Sequence, residues 1–226
     1  VISQVYGGGG NSGATLKNDF IELHNPTSSA LSVAGWSVQV ASGTGTTWTA
    51  TALTGFVPAG GYFLIQEAAG SGGTANLPTP DVIGTIAMGG SAAKVALVSS
   101  TTVLSGACPT ANVVDFVSAA GSSPCTEGVT TPAISAVNAA LRRSSGCQDT
   151  NSNVDDFAIA TAAPRNSGSA KVVCEYSATE SDRPEEADFC NLQFPSALTL
   201  DSGTLSDTIY AQLYEAGLTE AGGAPY

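Results

Sequence analysis

The 226 residues carry a formal net charge of −12, with 12 % charged and 42 % hydrophobic residues. That balance suits a folded core and opposes nucleic acid and anionic membrane surfaces as partners. Charged residues stand at about half the usual share of roughly 25 %, and no apolar run approaches the roughly 18 residues of a membrane span.

Val1–Tyr6 alternates Val, Ser, Val against Ile, Gln, Tyr, a strand signal of period two. Its start on Val1 fits a mature N-terminus left by signal-peptide removal, or the edge of a fragment. The run GGGGNSGAT lacks the GK[ST] ending of a phosphate cradle and reads as a flexible loop. Phe20–His24 is the next strand, ended by Asn25-Pro26. Leu31 and Val33 lead to Gly35, a position that a β-carbon would strain. Trp36–Ala41 follows with Trp36, Val38 and Val40 on one face, then Thr47–Leu53, the turn VPAGG and the apolar strand Tyr62–Gln66.

Residues 67–80 are small and polar and read as a long loop. Val82–Ile86, Lys94–Ser99 and Val113–Val117 are three further strands, and Ile134–Arg143 is the one helical candidate. Short strands between Gly/Pro/Ser turns predict an all-β chain, a sandwich or a barrel. Residues 171–187 are acidic and read as a linker. Up to residue 170 there are nine acidic and five basic residues, and from 171 onward ten and two, so the charge steepens from −4 to −8. Beyond the linker, Ser196–Leu200 and Thr208–Tyr214 read as strands in a segment, 188–226, too small to be stable alone. The expected domains are therefore 1–170 and a partial second unit at 188–226.

The five cysteines lie after residue 100 with no CxxC and no Cys/His cluster. Among long polar loops they favour disulfides of an exported protein over buried cytosolic thiols. Spacing does not determine the pairing. Cys108–Cys125 and Cys147–Cys174, each closing a moderate loop, are the expected pairs, which leaves Cys190 for the tail or a partner.

One stretch has ligand logic. Asp149, Asn151, Asn153, Asp155 and Asp156 place oxygens at positions 1, 3, 5, 7 and 8 of a loop, a spacing that suits Ca²⁺, although Val154 and Ala160 stand where an EF-hand needs Gly and Glu. The same stretch also reads as an Asx-rich turn whose side chains cap backbone N–H groups, with an Asp paired to Arg142 or Arg165. His24, the sole histidine, shares a strand face with Glu22, yet it lacks a nucleophile and reads as structural. Asp19, Glu22 and Asp115 read as ties between loops and strands rather than as an acid/base set. Arg142-Arg143 is too small for a nucleic-acid footprint.

The pattern Asp19-Phe20-Ile21-Glu22-Leu23-His24-Asn25, Gly35-Trp36, Tyr62–Ile65, Val95–Val98, Asp115-Phe116-Val117, Arg142 and Asp149 to Asn166 resembles the lamin tail domain of exported bacterial proteins. The resemblance covers about residues 1–168, with Ser118-Ala119-Ala120 as a departure. It implies an immunoglobulin-like β-sandwich and a binding or scaffolding module rather than an enzyme. Cys190-Asn191-Leu192-Gln193 is similar to a segment that follows such domains.

The expected role is an extracellular or cell-surface structural protein, bacterial by the resemblance. It would self-associate through strands 196–200 and 208–214, forming a head-to-tail assembly. The alternative is a non-catalytic binding module of a larger secreted hydrolase or an adhesin. Against an aromatic binding platform, Trp36, Trp48, Tyr62 and Phe63 occupy strand positions that want a core. No cofactor besides calcium is implied.

Overall fold

The computed structural model describes residues 1–90, 93–119, 123 and 125–174, together with the backbone of 189–194 and 210–214. The chain runs through β1 (Ile2–Tyr6), β2 (Asn18–His24), β3 (Leu31–Ser32), β4 (Ser37–Ser42) and β5 (Thr49–Ala52). Next come β6 (Phe56–Val57), β7 (Tyr62–Ala69), β8 (Val82–Ile83), β9 (Ala93–Val98) and β10 (Val113–Ser118). Then follow β11 (Asn138–Arg142), a 3-10 turn (Ser144–Gly146), the single-turn helix α1 (Asn153–Asp156) and β12 (Phe157–Thr161). A separate ribbon is made of β13 (Phe189–Phe194) and β14 (Tyr210–Tyr214).

Two sheets face each other. One has the order β12-β11-β1-β2-β7-β8 and the other β10-β9-β4-β5. All neighbours are antiparallel except β7 and β8. Alternate residues of both sheets meet in the central core: Ile2, Val5, Ile21, Leu23, Phe63 and Ile65 from one, Val38, Val40, Val95, Leu97 and Val117 from the other. This is the immunoglobulin-like sandwich of an all-β protein.

Both sheets are also covered on their outer faces. Tyr6, Phe20, Leu64 and Ala139 are buried under Leu16 and Leu77, and Trp48, Phe116, Ala96 and Val98 under Leu104 and Cys125. A strand with apolar cover on both sides needs apolar residues at every position, not at alternate ones. Hence the unbroken YFLI of β7 and VALV of β9.

Three local expectations change. The Ala/Leu/Arg-rich stretch at Ile134–Arg143 is not helical: Asn138–Arg142 is a strand between β1 and β12. A ten-residue helix is marginal by itself, whereas as a strand this stretch pairs with β1 on one side and β12 on the other, and Ala139 and Ala140 are buried. The Gly7–Gly10 run is no flexible loop. It is buried, and a β-carbon would meet Asn18 C at 2.0 Å from Gly9 and Gly70 Cα at 2.2 Å from Gly10. Finally, β7 extends to Ala69, so the loop after it begins at residue 70.

Disulfides join Cys108 to Cys125 and Cys147 to Cys174. The second carries the compact unit past residue 170, to Cys174. Residues 171–174 are not linker: Val172 N donates to Gly60 O at 2.8 Å while Gly60 N–H pairs elsewhere with Asn25 O. In the second unit, Glu175–Tyr226, the predicted strand 196–200 lies outside the described residues. The partner of β14 is β13, which begins seven residues earlier and pairs in the register Cys190↔Leu213 and Leu192↔Ala211.

Candidate functional site

The predicted ligand loop surrounds Arg142, the last residue of β11. Strand alternation turns this side chain inward at the end of the sandwich, where it is fully buried. Its Nη2 donates to both Asp115 oxygens at 2.9 and 2.7 Å, and its Nε donates to Ile2 O at 2.7 Å. Nη1 lies 3.0 Å from Asp149 Oδ1 and 3.7 Å from Asp156 Oδ2, and the guanidinium sits 4.7 Å from the Phe157 ring centroid. A planar fork of five donors suits this crowd of oxygens better than a point charge would.

The five oxygen-bearing residues expected to wrap Ca²⁺ point elsewhere. Asn153 is buried, accepting from Ser118 N at 2.8 Å and donating to Phe116 O at 2.9 Å. Asp156 accepts from Thr150 N at 2.9 Å and Thr150 Oγ1 at 2.8 Å, and Asp155 accepts from Ser152 Oγ at 2.6 Å. Asn151 takes the left-handed φ of 56°. The loop is a capped turn built around a guanidinium, so the geometry follows the Asx-turn reading and not a calcium cradle. Only Asp149 joins a group of three carboxylates with oxygens within 4.8 Å of one another, and its companions are Asp115 and Glu127. Glu127 is the residue the sequence reading missed. Burial first, then the charges of Asp115 and Asp149, push its carboxyl up to about 7.

The other carboxylates are separate anchors. Glu22, fully buried on the outer face of β2, accepts from Ser3 Oγ at 2.5 Å, Gln4 Nε2 at 2.9 Å and Arg165 N at 2.6 Å, and pairs with Arg165 Nη2 at 2.8 Å. Arg165 in turn lies 3.6 Å over the Tyr62 ring, which ties the PRNS segment to the sheet. Asp19 accepts from Gly9 N and Met88 N, both at 2.8 Å, and burial pushes it up to about 6 against those two bonds. Glu67 accepts from Ile86 N at 2.8 Å, and burial raises it too. Asp19, Glu22 and Asp115 are thus each spent on holding chain segments, and they make no common site.

His24 is separated from Glu22 by these partnerships. Its ring is buried against Tyr62, with centroids 4.7 Å apart. Nε2 faces Val172 O at 3.0 Å and Gly60 O at 3.3 Å, while Nδ1 faces Gly146 O at 3.3 Å and Cys174 Sγ at 3.9 Å. Burial lowers its affinity for a proton. A shallow groove of about 530 Å³ is lined by Gln4, Pro78, Leu141, Ser145, Pro164 and Arg165, and no acid/base pair faces into it among the described residues.

An all-β, immunoglobulin-like sandwich whose buried charges serve its own loops is the class of protein that fold and site define. The chain belongs to the lamin tail domain family, whose model matches residues 1–120, and that family is non-catalytic. The match ends before β11, so Arg142 and the Asp149 loop lie in the part of the sandwich beyond it. No curated protein and no solved structure matches the chain.

Proposed function

We propose that this chain is a non-catalytic, extracellular structural protein that associates with further copies of itself through its C-terminal strands. The observation that carries this reading is that β13 and β14, in the second compact unit, form a two-stranded sheet of their own. A lone two-stranded ribbon is marginal in water, and among the described residues each of its strands has one pairing partner, which leaves an outer edge to offer to another sheet. Since β13 and β14 pair with each other, the donated unit is the ribbon and not two orphan strands. Two disulfides and low surface charge suit an oxidising exterior. No helix among the described residues is long and apolar enough to cross a membrane.

The test is light scattering across a concentration series, with negative-stain imaging. The expected result is species heavier than the 22.5 kDa chain that grow with concentration and are lost in Leu192→Pro, where proline removes a strand donor. A strictly 22.5 kDa species at every concentration defeats the proposal.

A further inference from the structure

We propose that Cys147, Cys174 and His24 form a redox-gated zinc site: once the disulfide is reduced, both thiolates and His24 Nδ1 bind one Zn²⁺. The inference is independent of self-association. The three ligand atoms lie within 4.8 Å of one another, and His24 Nδ1 is already 3.9 Å from Cys174 Sγ. Tetrahedral zinc, with Zn–S of about 2.3 Å and Zn–N of about 2.0–2.1 Å, sets its ligand atoms roughly 3.5–3.8 Å apart. The nitrogen and one sulfur therefore hold nearly the required spacing. The sulfurs separate once their bond is cut.

The orientation of the imidazole is the stronger argument. Nε2 faces two carbonyl oxygens, of Val172 and Gly60. Neither can donate, and Val172 O at 3.0 Å is nearer than the Gly146 carbonyl is to Nδ1, which favours the tautomer with the proton on Nε2 and the lone pair on Nδ1. That lone pair meets only other electron-pair donors, Gly146 O at 3.3 Å and Cys174 Sγ. An imidazole with one N–H on a backbone carbonyl and its other nitrogen among donors without hydrogens has the arrangement of a metal ligand. The ring is also held in place. It packs on Tyr62, and Gly146, at φ +107°, leaves no room for a β-carbon, which would sit 2.9 Å from the ring. The Gly146 carbonyl is placed to supply the fourth ligand.

While oxidised, the sulfurs lack the thiolate charge that zinc needs. Both cysteines are partly exposed, so a small thiol or phosphine reductant reaches them. Two electrons and two protons convert the disulfide to two thiols, as an external dithiol leaves as its own disulfide or a phosphine takes oxygen from water. Zinc then displaces both thiol protons to solvent. Cys174 closes the compact unit, so the ion would hold residues 171–174 on the sandwich when the covalent clasp is open.

The test uses the full chain with Cys190→Ser, reduced by a phosphine, with Co²⁺ as the spectroscopic probe and Zn²⁺ as competitor. The expected result is one Co²⁺ per chain, with thiolate charge-transfer and tetrahedral bands appearing only after reduction and abolished by Zn²⁺. Affinity falls at least tenfold in Cys147→Ser and is unchanged in Cys108→Ser. Because His24 is the sole histidine, its ring ¹⁵N resonances report Nδ1 coordination by Zn²⁺ without any substitution. Equal binding by oxidised protein, loss of the signal in Cys108→Ser but not Cys147→Ser, or an unmoved Nδ1 resonance would each overturn the proposal.

Discussion

Arg142 holds four segments together: Asp115 of β10, the carbonyl of Ile2 in β1, and the Asp149 and Asp156 carboxylates. Removing one member of a buried pair leaves an uncompensated charge, which costs about 3–5 kcal/mol. Arg142→Met should therefore lower unfolding free energy by about that amount in urea titrations. Arg142→Lys should recover only part of the loss, because an ammonium cannot reproduce the fork. Glu127 gives a prediction of opposite sign. Its carboxyl is raised to about 7, so between about pH 4.5 and 7 the folded state binds more protons than the unfolded chain, and stability falls as pH rises through that window. Glu127→Gln should accordingly be more stable than the parent at pH 8 and lose that advantage below about pH 5, measured by melting temperature. That an arginine, Arg142 or Arg165, would pair with the Asp149 loop was legible because Arg is the expected partner of an Asx-rich turn; only tertiary structure selects Arg142 and gives Arg165 to Glu22. Glu127 was not legible, since nothing local marks a loop glutamate that tertiary packing brings against Asp115. Lys94 was equally illegible: it lies inside KVALVS yet is buried, donating to Gly45 O and Ala107 O at 2.7 Å and sitting 5.2 Å from the Trp48 ring.

Among the elements, strands followed from period-two and apolar patterns, and up to β10 their positions agree within a few residues except for the two-residue strands β3 and β6, which were read as connecting turns. The failure at β11 has a definite cause. Ala, Leu and Arg favour helix locally, but the unpaired edge of β1 decides the matter, and no local signal announces an edge. β12 was missed because FAIAT follows an Asp-rich turn and is apolar throughout only over a short span. The Asp149 loop belongs to this scale. Its side chains already serve Thr150, Ser118 and Arg142, so the melting temperature should be the same in millimolar Ca²⁺ and in EDTA. Asp156→Ala, which strips the acceptor from Thr150 N and Oγ1, should cost about 1–3 kcal/mol. A calcium-dependent rise in melting temperature would restore the ligand reading.

For the whole molecule, three carboxyls titrate high: half-buried Glu127 to about 7, buried Asp19 to about 6, and buried Glu67 above its ordinary value. Each makes the folded state the better proton acceptor over its window, so Glu127 adds stability as pH falls from about 7 toward 4.5, Asp19 as it falls from about 6 toward 3.8, and Glu67 as it falls through its raised range. His24 and the buried Val1 amine, both lowered by burial, act the other way, below about pH 6.5 and about pH 8, two groups against three. Falling pH also relieves the self-repulsion of a chain at −12. The melting temperature should therefore rise from pH 8 to pH 5, and a fall over that range would contradict the assigned burial of these groups.

By itself the amino-acid order determined the all-β class, the family and most strand positions, because alternation and turn residues are local quantities read within a few neighbours. Tertiary structure alone decided that the Asp149–Asp156 loop closes on the Arg142 guanidinium, that the Gly7–Gly10 run is buried, and that Cys147, Cys174 and His24 converge. Those outcomes depend on which atoms meet across sequence separations such as the 150 residues between His24 and Cys174, and no spacing along the chain encodes such a meeting.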